Sequence, residues 1–178
     1  MDAYQRRALV EMLLQSGAVR FGDFTLTSGQ KSDVYVDIKH AWTDPKRLAL
    51  IADALAEHVE AEDQLAGMEL GAVPLVVATA LKTGRPYAVV RKATKAHGTG
   101  KRIEGELPPN VPVLVIEDVA TTGGSLVQTV EVLREAGARV DRAVVVVDRG
   151  AGATTLLKER GVRLGALVTF EELRGATT

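Results

Sequence analysis

No cysteine occurs among the 178 residues, which excludes disulfides and thiolate metal sites. No apolar run approaches the ~20 residues that a membrane-spanning helix needs. The opening Met1-Asp2-Ala3-Tyr4-Gln5-Arg6-Arg7 lacks the apolar stretch of a secretory signal. An excess of one charge is missing too: 22 Lys and Arg stand against 23 Asp and Glu, a formal net charge of −1. Nothing therefore draws the whole chain to nucleic acid. His40, His58 and Trp42 match no metal-ligand spacing. His58, near a helix end, is expected to be a surface residue favoured by the helix dipole, and Trp42 to serve packing. Together these absences lead us to expect a cytoplasmic protein with neither a membrane nor a nucleic acid as partner.

What is present is a globular composition, 46% hydrophobic and 25% charged, long enough for one domain with its own core. Residues 2 to 16 read as a helix with Leu9, Met12 and Leu13 on one face and Gly17 just past its end. Phe21 to Val36 holds two short strand-like pieces around Thr27-Ser28-Gly29. Asp44-Pro45 starts a helix, a capping side chain followed by proline at the first helical position. Leu48, Ile51, Ala52, Leu55 and Val59 then recur at helical spacing.

From there the chain alternates. Strands are expected at 66–70, 86–90, 112–117, 140–147 and 164–168. Helices fall at 73–83, about 123–136 before Gly137, and about 152–160 before Gly161. A polar loop covers roughly 93–108. Thr169 with Glu172 forms a capping box for a last short helix. Such alternation implies an α/β fold with a mostly parallel central sheet flanked by helices. The whole chain, 1–178, reads as one domain, and residues 1–40, outside the alternation, as a small cap over the sheet.

Residues 113 to 125, Val-Leu-Val-Ile-Glu-Asp-Val-Ala-Thr-Thr-Gly-Gly-Ser, carry the strongest chemical signal. A buried strand ends in two acids, Glu117 and Asp118, at the edge where open α/β sheets bind ligands. A turn of small residues follows and opens a helix, whose free N–H groups suit a phosphate. Gly123 and Gly124 let the backbone come close to such an anion. The acids would repel a phosphate but can accept hydrogen bonds from a vicinal diol. The combination asks for a sugar phosphate with free hydroxyls.

A second signal is the basic, glycine-containing loop Arg91-Lys92-Ala93-Thr94-Lys95-Ala96-His97-Gly98-Thr99-Gly100-Lys101-Arg102. Its charge suits a polyanion such as pyrophosphate. It is not a P-loop, since Arg102 follows Gly100-Lys101, and Ile103 breaks the dinucleotide fingerprint.

The 113–125 pattern resembles the phosphoribosyl-diphosphate (PRPP) motif of the type I phosphoribosyltransferases. Within them, Arg-Lys-x-x-Lys-x-His-Gly at 91–98 resembles the mobile catalytic loop of the orotate phosphoribosyltransferase family. Residues 24–32 resemble its N-terminal orotate segment, and Asp148-Arg149 its Asp-Arg pair. The resemblance implies the type I phosphoribosyltransferase fold with residues 1–40 as a hood contributing to the orotate site. It implies transfer of the phosphoribosyl group of PRPP to orotate, with Mg²⁺ held mainly through PRPP rather than by protein ligands. Glu117 and Asp118 would hold the ribose hydroxyls, and Val119, Ala120, Thr121, Thr122, Gly123, Gly124 and Ser125 would line the PRPP site, the backbone from Thr121 to Ser125 cradling the 5′-phosphate. Arg91, Lys92, Lys95 and His97 would clamp the pyrophosphate, with Lys95, His97 and Asp118 closest to the chemistry. Thr27, Tyr35, Thr121 and Arg149 would lie near the orotate. A homodimer is implied, with loop 91–102 of each subunit acting on its neighbour's site.

Two departures from the family stand out. Many members carry a lysine in the loop after the first sheet strand; here that loop is Gly71-Ala72-Val73-Pro74-Leu75, with Leu75 where the lysine would fall and Pro74 as a candidate for a cis bond. Many also carry two aromatics where this chain has Tyr35 then Val36. Alternative readings are transfer to another base, and a non-catalytic PRPP-sensing regulator.

Overall fold

A computed structural model describes residues 1–25, 31–93 and 102–177. Strands apolar on both faces are stable only where both faces of the sheet are covered. Here β3 (Gln64–Met68), β4 (Tyr87–Val90), β5 (Ile103–Glu104), β6 (Pro112–Ala120), β7 (Arg139–Asp148) and β8 (Arg163–Thr169) form one six-stranded sheet. Its order is β5-β4-β3-β6-β7-β8. All neighbours run parallel except β4 and β5.

Period-two alternation along β6 divides the core. Leu114 and Ile116 meet Leu9 and Leu13 of α1 (Ala3–Gln15), Ile51 and Leu55 of α3 (Pro45–Ala56), and Leu75 and Val76 of α4 (Val73–Thr83). Val113 and Val115 meet Leu126, Val130 and Leu133 of α5 (Gly124–Glu135) and Leu157 of α6 (Ala153–Lys158). The amino-terminal segment stays out of this sheet. Its β1 (Val19–Thr25) and β2 (Lys31–Val36) pair antiparallel with each other, and the short α2 (Lys39–Trp42) leads into α3. The chain ends in α7 (Phe170–Gly175).

The helix starts follow local chemistry. Asp44 accepts from the backbone N–H groups of Lys46 and Arg47, with Pro45 opening α3. Thr169 and Glu172 satisfy each other's backbone donors in a capping box. No described helix is long and apolar enough to cross a membrane.

Several boundaries differ from the sequence reading. β6 continues to Ala120, because its ladder with β7 holds as far as Ala120 opposite Asp148. The polar loop contains β5, which exists only by pairing Ile103 with Val90 and Glu104 with Val89. Among the described residues the cis peptide bond is Glu69–Leu70, whereas Pro74 lies inside α4. His58 is not a surface residue favoured by a dipole. It is half-buried against Gly165, and burial first, then the amino terminus, Arg6 and Arg142, push its pKa down. Trp42 packs against the α1-side core, as expected.

Gly67 sets how closely α4 lies on the sheet. A Cβ there would stand 2.6 Å from Ala72 Cβ, 2.7 Å from the Ile116 carbonyl and 2.9 Å from Val76 Cγ2. Gly67→Ala must push α4 and its preceding loop outward, a form of overpacking that costs ~1–3 kcal/mol. Urea unfolding should show that loss; an unchanged midpoint would mean that α4 has slack at this contact.

Candidate active site

The chain leaves β3 for β4 on one side, and leaves β6 for β7 and β8 on the other. Adjacent strands whose onward connections diverge leave a crevice at their carboxyl ends, the general ligand position in open α/β sheets. Glu117 and Asp118 stand there. A cavity of about 400 Å³ beside His58, Arg142 and Gly165 involves the opposite ends of β6, β7 and β8.

The acids differ sharply in setting. Glu117 is 6% exposed, and its Oε1 accepts from the Asp118 N–H at 3.0 Å. Burial, and then the charge of Asp118, push the Glu117 pKa up to about 8. Asp118 is more open, and its Oδ1 accepts from the Val119 N–H at 2.8 Å. At neutral pH Glu117 therefore keeps its proton.

The turn after β6 begins at Thr121. Val119 and Ala120 belong to the strand: the Val119 N–H is taken by Asp118, Ala120 is fully buried, and its carbonyl accepts from the Arg149 N–H at 2.9 Å. Thr121, Thr122, Gly124 and Ser125 are exposed. Gly123 has φ +88° and lies so close to α6 that a Cβ would sit 3.1 Å from Ala153 Cα. Gly124 has open space around it. No side chain caps α5, so its first N–H groups face outward and can receive an anion.

β7 delivers the third side. Asp148 accepts from the Gly150 N–H at 2.9 Å and from Thr154 Oγ1 at 3.1 Å. These bonds fix the turn that sets Arg149 beside the end of β6, where its backbone N–H meets the Ala120 carbonyl.

The loop after β3 corrects one expectation. Leu75 is not a loop position turned toward a ligand; it lies in α4 and is fully buried, because its side chain belongs to the core stripe of that helix. The loop proper, Glu69-Leu70-Gly71-Ala72, carries no basic residue. Glu69 Oε1 accepts from the Lys92 N–H at 2.9 Å and so ties this loop to the base of the basic loop. Arg91 donates its N–H to the Arg102 carbonyl at 2.8 Å, and its guanidinium reaches Glu104 at 3.5 Å. Arg91 and Lys92 thus stand at the stem of that loop. Lys95, His97 and Thr27 lie outside the described residues.

The β1–β2 pair adds a fourth side and two residues that the sequence reading missed. Tyr35 packs on Phe24 with ring centroids 5.7 Å apart and lies 5.0 Å from the Arg20 guanidinium. Its hydroxyl donates to Asp37 at 3.5 Å, and Lys39 Nζ reaches the other Asp37 oxygen at 3.2 Å. Burial pushes the Asp37 carboxyl up, but the hydrogen bonds from Lys39 outweigh it and hold the pKa below the ordinary value. Lys39 is raised mainly by Asp37, with smaller contributions from Asp118 and Tyr35. It thereby links the amino-terminal segment to the acid pair. The signal available in sequence was the alternation of Tyr35 and Asp37 on one face at the end of β2.

A family model for the phosphoribosyl transferase domain matches residues 41–162. The orotate phosphoribosyltransferase of Methanopyrus kandleri is 55% identical over 170 residues, covering 96% of this chain and 92% of that protein. The chain belongs to the orotate phosphoribosyltransferase family. Among solved structures, the Aeropyrum pernix orotate phosphoribosyltransferase superposes with a TM-score of 0.85 at 37% identity, covering 95% of this chain and 97% of that one. The Mycobacterium tuberculosis orotate phosphoribosyltransferase in complex with PRPP gives 0.80 at 31% identity, covering 96% and 99%. The fold is therefore that of the type I phosphoribosyltransferases, as the sequence pattern implied.

The buried acid has a consequence for stability. Glu117 in the folded chain keeps its proton up to about pH 8, whereas in the unfolded chain it ionises near the ordinary glutamate value of ~4.3. Between those values the folded state binds more protons, so this group makes stability fall as pH rises. Glu117→Gln should remove that slope. Urea unfolding at pH 5 and pH 8.5 should show the variant gaining on the wild type at the higher pH; parallel pH dependence in both proteins would mean that Glu117 is ionised in the fold.

Proposed function

We propose that this chain transfers the 5-phosphoribosyl group of PRPP to orotate, giving orotidine 5′-monophosphate and pyrophosphate, a step in de novo pyrimidine synthesis. The observation that carries the reading is the acid pair Glu117–Asp118 one turn away from the uncapped N-terminus of α5. That spacing matches a ribose whose 2′- and 3′-hydroxyls and 5′-phosphate must be held at once. The relatives named orotate phosphoribosyltransferase support orotate as the acceptor. The likeness to an adenine phosphoribosyltransferase, 21% identical, bears on the fold alone.

The chemistry follows from charge. The bond from ribose C1 to the pyrophosphate oxygen breaks, a bond from C1 to the orotate ring nitrogen forms, and the electron pair leaves with pyrophosphate. Positive charge gathers on the ribose ring and negative charge on the leaving group. Glu117 and Asp118 accept the ribose hydroxyls, while the turn from Thr121 to Ser125 receives the 5′-phosphate. Arg91, Lys92, Lys95 and His97 face the departing pyrophosphate, where preorganised charge lowers the barrier. Thr27, Tyr35, Thr121 and Arg149 border the base, and a guanidinium fork suits its carboxylate. No nucleophilic side chain is required.

Magnesium belongs to the same proposal. Among the described residues no group of three or more His, Asp or Glu side chains could hold a metal ion. Mg²⁺ readily keeps water and substrate phosphate oxygens as ligands, so it would be held mainly through PRPP rather than by protein side chains. When bound, Mg²⁺ supplies charge neutralisation at the pyrophosphate. PRPP and orotate are charged and do not cross bilayers unaided, which supports a cytoplasmic setting.

A homodimer completes the reading. The basic loop leaves the sheet between β4 and the edge strand β5. Leu70, Leu81 and Tyr87 are large apolar side chains left exposed, at 64%, 83% and 43%. In such a dimer a second copy would cover apolar side chains of this kind and receive the basic loop from its neighbour.

Purified protein should consume orotate only when PRPP and Mg²⁺ are both supplied, read as loss of orotate absorbance. Preference for adenine, hypoxanthine or uracil would replace the assignment with another base. Absence of turnover alongside PRPP binding would favour a regulator.

Subunit sharing has its own test. Lys95→Ala is expected to cost roughly 10²–10³ in rate, and Asp118→Asn, which loses a charge-assisted bond to a ribose hydroxyl, about ten- to a hundred-fold, so each parent alone should be weakly active. Mixed after dissociation in equal amounts, they should form hybrids in about half the dimers, because a two-fold interface treats both chains alike. Each hybrid holds one intact site, so activity should return to about a quarter of wild type by that pairing. No recovery with hybrids shown to form would mean that the loop serves its own subunit.

A further inference from the structure

The loop after β3 comes into direct contact with the acid at the end of β6. A Cβ built on Gly71 would stand 2.4 Å from Asp118 Oδ2, 2.8 Å from Cγ and 3.1 Å from Oδ1. The Asp118 carboxylate therefore rests against the bare Cα of Gly71. Its other oxygen, Oδ1, is held by the Val119 N–H at 2.8 Å. A short aspartate side chain gripped at one oxygen cannot swing far without losing that bond. The Gly71 backbone is outside the left-handed region, so alanine meets no torsional penalty there. What glycine provides at 71 is space, and Asp118 occupies it.

We propose that Gly71 is a positioning residue for catalysis: by lacking a side chain it seats the Asp118 carboxylate in the orientation that receives the ribose hydroxyls of PRPP. The seat spans the two strands whose connections diverge, so it also couples the loop after β3 to the ribose end of the substrate. Glu69 ties that loop to Lys92 at the stem of the basic loop. The proposal rests on the reading of Asp118 as a ribose ligand.

A double-substitution cycle with a structural readout tests it. Gly71→Ala should lower kcat/KM for PRPP by at least about tenfold, with thermal stability close to wild type. Asp118→Ala removes the carboxylate with which the added methyl group at position 71 would collide. Adding Gly71→Ala to Asp118→Ala should therefore cost nothing further, whereas losses that multiply would show that Gly71 acts through the loop backbone and would overturn the proposal. So would unchanged PRPP kinetics in Gly71→Ala. If Gly71→Ala alone fails to fold, the double variant should fold; failure of both also overturns it. A crystal structure of the single variant separates this inference from the functional one. Rotation of the Asp118 carboxylate away from residue 71 supports it even if the wild type handles no PRPP. An unmoved carboxylate with a displaced loop defeats it even if orotate turnover is normal.

Discussion

The site depends on how β6 ends. Up to Ile116 the strand is apolar on both faces and sealed from water; its next two residues are carboxylic acids. A buried carboxylate is costly unless it is paired, hydrogen-bonded or protonated. Glu117 resolves the cost by keeping a proton and accepting the next backbone N–H. Asp118 resolves it by facing the crevice and accepting from Val119. Neither acid can drift, because the ladder to β7 continues beyond both, as far as Ala120. Their rigidity comes from the sheet, not from partners that a ligand would have to displace.

The unequal reach of the two central strands shapes the crevice. β3 pairs with β6 only from Gln64 opposite Val113 to Ala66 opposite Val115. It stops at Met68 while β6 runs on. The loop after β3 therefore folds down beside the exposed stretch of β6 and meets it at Asp118. Small residues make this possible twice: Gly67 lets α4 close on the sheet, and Gly71 clears room for the carboxylate. A side chain at 67 would push α4 and the loop before it outward, and one at 71 would take the space that the Asp118 carboxylate occupies.

Much of this was legible in sequence because it is periodic or local. The helix over 73–83 shows in its apolar periodicity, and the Asp44-Pro45 start and the Thr169–Glu172 box are set by side chains that act on their own backbone. The strand-acid-acid-turn run was legible because every part of it is contiguous. What was not legible depends on partners distant in sequence. β5 is two residues long and exists only by pairing with β4. The family's lysine position puts Leu75 in the ligand loop, yet the helix begins at Val73 and turns it into the core. His58 looks like a dipole-stabilised surface histidine in sequence because Gly165 and Arg142, which flank it, come from strands far along the chain. Lys39 and Asp37 escape notice because nothing local shows that the β1–β2 pair brings them toward Asp118.

The charge pattern of the assembled site explains why no excess of either sign was needed in the composition. Acid is concentrated at the floor, in Glu117 and Asp118, where a diol must be gripped. Open backbone donors lie at one end, in the first turn of α5. Cations lie at the rim, in Lys39, Arg91, Lys92 and Arg149. A molecule with hydroxyls at its centre and phosphates at both ends complements that order, whereas a uniform polyanion would meet the acids and be repelled. A nearly neutral chain thus selects by the sequence of charges across one crevice, and the separation of those charges is fixed by β6, the turn that follows it and the glycine that lets the neighbouring loop approach.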